Sequence, residues 1–176
     1  SLFSWERLQF ILQYAIAYVN EESGLQKHIM RYPQLFATQA IATKLSEGKP
    51  KGIIWHTQGS GKTALAYYNV KHLTDYYQRL QIIPKFYFVV DRLDLLIQAS
   101  TEFSNRGLKV NQVSSKAEFI KDLQIIGAIK NDSGKAEITV VNIQKFSEEA
   151  VAKDIPDYDI NTQRIYFLDE AHRSYN

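Results

Sequence analysis

The run Lys51-Gly-Ile-Ile-Trp-His-Thr-Gln-Gly-Ser-Gly-Lys-Thr63 constrains the fold more than any other part of this chain. It reads as a buried strand, Gly52 to Trp55, passing directly into a glycine-rich turn and then a helix. Thr57 and Gln58 lead into the turn, where Gly59, Ser60 and Gly61 let successive backbone N–H groups point inward at an anion. Thr63 to Leu73 has a helical pattern, so its positive amino end faces the same anion. Lys62 is placed to reach the β- and γ-phosphates of a nucleotide, and the Thr63 hydroxyl to ligate magnesium. The general phosphate-loop pattern opens on Gly, whereas this chain has His56 there. That departure calls for a second, independent signal.

The second signal lies 107 positions beyond Lys62. Arg164-Ile-Tyr-Phe-Leu168 reads as a short apolar strand ending in Asp169-Glu170-Ala171-His172. Taken alone, two acids after a strand are a solvated strand end. Behind a phosphate loop, Asp169 would hold the metal, directly or through water, and Glu170 would orient and deprotonate the attacking water. The two motifs in this order predict a nucleotide-hydrolysing α/β core that uses ATP and Mg2+.

Composition bounds the partners. The 176 residues, 45% of them hydrophobic, suffice for one globular domain with a core. Net charge is only +2, so contact with a polyanion has to be local. There is no cysteine, which excludes disulfides and thiolate metal sites and fits a reducing compartment; a cytoplasmic location is expected. Glu6 and Arg7 do not suit a signal peptide, and Leu8 to Val19, interrupted by Gln9 and Gln13, is too short to span a bilayer. No membrane partner is expected.

Trp5, Leu8, Leu12, Ala15, Ile16 and Val19 fall at helical spacing and predict an amphipathic helix over residues 4–20, broken by Asn20 to Gly24. A second helix is expected from about Pro33 to Ser46. Beyond the phosphate-loop helix, strands are predicted at 85–90, 108–113 and 137–142, before the final one at 164–168. Helices are predicted at 93–103, from a Ser115/Glu118 capping box to about 129, and at 144–152. Strands alternating with helices imply a parallel sheet with ligands at its carboxyl edge.

Gly52 to Thr63 and Asp169-Glu-Ala-His-Arg-Ser174 together resemble the superfamily-2 helicase core, and more narrowly the motor (R) subunit of type I restriction enzymes. The Trp-His-Thr-Gln lead-in is typical of that subunit. Arg31-Tyr-Pro-Gln34-Leu-Phe-Ala37, Val89 to Gln98 and Thr139 to Phe146 are similar to further family elements. The resemblance covers about residues 31–176.

It implies a three-layer RecA-like P-loop NTPase fold, α/β, with a parallel sheet and helices on both faces. Residues 31–176 would be the N-terminal part of the first motor lobe, and 1–30 a helical linker to an upstream nuclease. Gln34 would read the adenine edge, with Arg31 supporting that pocket. Arg92, Gln98, Gln144 and Lys145 would contact the nucleic-acid backbone, and His172 and Arg173 would couple the nucleotide site to the DNA site. The partners implied are double-stranded DNA and the methyltransferase and specificity subunits of a restriction complex.

Several expected parts are not in the sequence. Glu47-Gly-Lys49 has the Glu-x-Lys form of the family's nuclease, but no Asp precedes Asp75, so the triplet reads as loop. No second lobe is present to supply the arginines of phosphoryl transfer. The chain is therefore expected to be a fragment of a larger protein. Another superfamily-2 DNA or RNA helicase, and a non-catalytic nucleotide-binding module, stay open as alternatives.

Overall fold

The computed structural model describes residues 4–55, 57, 59–124, 136–143 and 161–169. At its centre is a four-stranded, wholly parallel sheet. It is built from β3 (Ile83–Val90), β4 (Lys109–Val113), β5 (Glu137–Asn142) and β6 (Thr162–Leu168), in the order β4-β5-β3-β6. β3 and β5 are continuous β-branched and aromatic runs because both of their faces are covered. Phe86, Phe88 and Val90 point into the larger core, while Tyr87 and Val89 point the other way, as the two-residue period of a strand requires.

Helices cover both faces. α3 (Lys62–Arg79) and α4 (Leu93–Asn105) pack on the side of Phe86 and Phe88, where the fully buried Phe103 meets Phe88 edge to face at 5.2 Å. α5 (Lys116–Gln124) lies on the opposite side, its Phe119 edge-on to Tyr87. This is the expected three-layer α/β arrangement. The start of α5 also follows the sequence: Ser115 Oγ accepts a hydrogen bond from the Glu118 N–H, and Glu118 Oε2 accepts one from the Ser114 N–H.

The N-terminal segment departs from the predicted helix. α1 (Trp5–Tyr14) stops at Tyr14, and residues 16–20 instead form β1 (Ile16–Glu21) of an antiparallel hairpin with β2 (Gly24–Ile29). Ala17 and Val19 alternate inward past an exposed Tyr18, so the period is two and not 3.6. Gly24, at φ +107°, closes the two-residue turn.

The hairpin and α1 share the main core with α3. Tyr14, Ala15, Ala17, Val19 and Met30 are all buried in it. Tyr14 donates its hydroxyl hydrogen bond to Asp75 Oδ2 at 2.9 Å, and Lys71 Nζ donates to the Ile16 carbonyl at 3.1 Å. Burial and that carboxylate push the Tyr14 phenol up to about 12. α2 (Tyr32–Ser46) then leads towards the phosphate loop. Among the described residues, no helix is long and apolar enough to cross a membrane.

A second departure concerns Gly52 to Trp55. These residues are not a strand: Ile53 and Trp55 are each 93% exposed. β3 and β6 pair with each other continuously from Ile83↔Thr162 to Val89↔Leu168, which leaves no gap between them for another strand. Among the described residues the run pairs with no strand, and its apolar side chains stand in solvent.

Candidate nucleotide-binding site

The site sits at the carboxyl edge of the sheet. Gly59 (φ +73°) and Gly61 (φ +82°) both take the left-handed conformation that glycine tolerates best. The Ser60 N–H donates to the Thr57 carbonyl at 3.2 Å, closing the turn. Gly61 caps α3, and its carbonyl accepts the Leu65 N–H at 2.9 Å. Lys62 and Thr63 thus open the helix, at the end where unpaired amides and the backbone dipole favour negative charge.

β6 delivers the acid. Its last ladder pair is Val89↔Leu168, and the Asp169 N–H then donates to the Val89 carbonyl at 3.0 Å. This anchors Asp169 where the sheet ends. Lys62 Nζ lies 3.7 Å from Asp169 Oδ1, with the lysine side chain 35% exposed and the carboxylate 17%. The cation at the helix start and the acid at the strand tip therefore meet in one place.

The residues fit a bound phosphate and its metal. Ser60 Oγ is buried with no hydrogen-bond partner among the described residues, and so is one carboxylate oxygen of Asp91, which follows β3 at the same edge. An orphaned hydroxyl inside a loop of turned amides suits an anion, since buried polar atoms otherwise find partners. Among the described residues, no three His, Cys, Asp or Glu groups gather as a metal cage.

Gln34 is where the structure adds most to the sequence. It is 4% exposed, and its amide is engaged at both ends: Oε1 accepts from the Arg31 N–H at 2.9 Å, and Nε2 donates to the Gly61 carbonyl at 3.0 Å. Arg31 and Thr57 are exposed beside the site. A second tie between α2 and α3 comes from Asn69, fully buried, whose Nδ2 donates to the Leu65 carbonyl at 2.9 Å and to Thr38 Oγ1 at 3.5 Å. Sequence reasoning missed Asn69; no local motif announces it.

Arg92, at the start of α4, and Gln98, on that helix, are both exposed, with Arg92 3.7 Å from Asp94. Gln58, Gln144, Lys145, Glu170, His172 and Arg173 lie outside the described residues, as does the predicted helix at 144–152. A cavity of about 190 Å³ opens at the other end of β3 and β5, lined by Pro84, Tyr87, Asp122 and Thr139 among others. It contains none of the site residues.

Comparison with known proteins gives the family. The family model of the SWI2/SNF2 ATPase matches residues 33–176. The chain is 31% identical over 160 residues to a protein of Methanocaldococcus jannaschii assigned as the MjaVIIP type I restriction enzyme endonuclease subunit, covering 81% of this chain and 15% of that one. It is 32% identical to a type I restriction enzyme endonuclease subunit of Staphylococcus saprophyticus, over 82% of this chain and 14% of that protein. A Mycoplasma pneumoniae protein assigned as the C-terminal part of the MpnIIP endonuclease subunit is 30% identical, with 83% of this chain and 72% of that protein covered. The chain thus spans about one seventh of the length of the first two relatives.

Proposed function

Because the chain belongs to the SWI2/SNF2 ATPase family, in the form found in type I restriction enzyme endonuclease subunits, we propose that it forms the nucleotide-binding part of the first RecA-like lobe of an ATP-driven DNA translocase. The observation that carries this reading is the 3.7 Å approach of Lys62 to Asp169 at the mouth of the loop. A cation that will meet the β- and γ-phosphates and an acid that will meet their metal have to lie within one site, and these two do.

Each residue then has a task. The amides of Gly59 to Lys62 cradle the phosphates, and Lys62 exchanges its carboxylate neighbour for them. Thr63 and Asp169 are the groups that would hold magnesium, which when bound neutralises charge on the β- and γ-phosphates. Glu170, directly after Asp169, orients the attacking water and takes its proton. Gln34 and Arg31 flank the adenine. Arg92, Gln98, Gln144 and Lys145 meet DNA phosphates, so those contacts are largely independent of sequence. His172 and Arg173 link the two sites.

In the whole protein, ATP would close a cleft between two lobes and hydrolysis would reopen it, moving duplex DNA before cleavage. Arginines completing the phosphoryl-transfer site would come from parts of the protein that this chain does not span. Target choice and methylation would lie with the companion specificity and methyltransferase subunits. DNA-stimulated ATP turnover by the full-length protein tests the reading. Lys62→Ala should abolish it, and full retention would reject the loop assignment.

A further inference from the structure

We infer that Gln34 is a positioning residue for the phosphate loop: its Nε2, by donating to the Gly61 carbonyl, fixes the loop in its anion-receiving shape before any base is present. The inference rests on the phosphate-loop reading but concerns a part of the site that need not touch the nucleotide. Gly61 is the hinge between the turn and α3. Its φ of +82° is held by no side chain of its own, and its carbonyl is the first acceptor of the helix. The orientation of that one peptide unit decides where the Lys62 N–H points.

Gln34 fixes that orientation from outside. It is 96% buried, 27 positions upstream, and its amide cannot swing, because Oε1 is held by the Arg31 N–H at the start of α2. The approach is close: a Cβ on Gly61 would fall 2.6 Å from Gln34 Nε2. Asn69, bonded to Leu65 and Thr38, holds the two helices together one turn further on. An amide carries two N–H groups and two lone pairs, and among the described residues only one of each is used. Reading the adenine edge and holding Gly61 are therefore compatible tasks for one side chain, and their effects can be separated by a ligand that has no base.

The test is calorimetric titration of the full-length protein with magnesium tripolyphosphate and with magnesium ATP, for wild type and two variants. Gln34→Met removes the hydrogen bonds at similar length. Gln34→Asn is uncharged and keeps a polar group at the start of α2, but is one methylene too short to reach Gly61, so it serves if the methionine variant does not fold. Both variants should weaken tripolyphosphate and ATP by a similar factor, roughly tenfold for the loss of one hydrogen bond that orders the loop. Unchanged tripolyphosphate binding with weakened ATP binding would overturn the inference, because Gln34 would then act on the base alone. Wild type that binds neither ligand would instead reject the phosphate-loop reading itself.

Discussion

Lys62 Nζ and Asp169 Oδ1 are 3.7 Å apart although 107 positions separate them in the chain. The pairing follows from the topology. β6 lies beside β3 in parallel register, so its last residues emerge at the edge of the sheet where α3 begins. With both side chains only partly exposed, the contact is less screened than a surface ion pair and holds the acid facing the loop.

The acid pair should divide its labour. Glu170→Gln keeps the shape of the side chain but cannot accept a proton from water. ATP should still bind to the full-length protein while turnover falls roughly 10²- to 10⁴-fold, the usual worth of a general base. Single-turnover measurements at saturating ATP check this, and a normal rate would remove Glu170 from that role.

The two loop glycines should respond differently to alanine. Both have positive φ, which costs an L-residue roughly 1–2 kcal/mol. At Gly59 none of the described residues lies within 4 Å of the added Cβ, whereas at Gly61 it meets Gln34 Nε2 at 2.6 Å. Gly61→Ala should therefore lose more stability in urea than Gly59→Ala. Equal losses would mean that Gln34 yields freely.

His72 should make the fold acid-sensitive. Burial against Phe10 and Tyr14 lowers its folded pKa below the ordinary value, with Asp75 opposing in part. The unfolded chain then binds a proton more readily than the folded one as pH drops through about 6.5. Stability from this site is complete above that pH, declines on acidification, and levels off below the folded pKa. His72→Gln should flatten this part of the curve of urea midpoint against pH. An identical slope in the variant would exclude His72 as the cause.

The exposed lead-in to the loop can be read by fluorescence. The chain has two tryptophans, and Trp5→Phe leaves Trp55, which is 93% exposed. In this chain its emission should be red-shifted and readily quenched by acrylamide. Blue-shifted, protected emission would mean that Gly52 to Trp55 is packed as a strand after all.

Much of the fold was legible because the sheet is buried on both faces. Unbroken runs such as Phe86 to Val90 and Ile138 to Val141 have few alternatives to a parallel strand. The expected strand at 137–142 coincides with β5, and α2 begins within one residue of the expected Pro33. Residues 16–20 misled because Ile16 and Val19, three apart, continue the helical spacing of Leu12 and Ala15, whereas Ala17 and Val19, two apart, share one face of a strand, and that alternation prevails only once β2 supplies a partner. Gly52 to Trp55 misled for the opposite reason. Its composition suits a strand, but a strand also needs a neighbour to pair with, and the position beside β3 is taken by β6, which no local pattern records. The glycines and Lys62 could be read from spacing, since the loop's function dictates their types. The bond from Gln34 to Gly61 could not, because it joins two segments whose meeting depends on how α2 packs against α3.

The most direct test of the whole account is calorimetric titration of magnesium ATP into wild-type protein and into Lys62→Ala. Saturable binding by wild type that is lost, or weakened at least a hundredfold, in the variant is the expected result. Equal affinity in the two proteins would show that nucleotide does not bind between Lys62 and Asp169, and the account would fail.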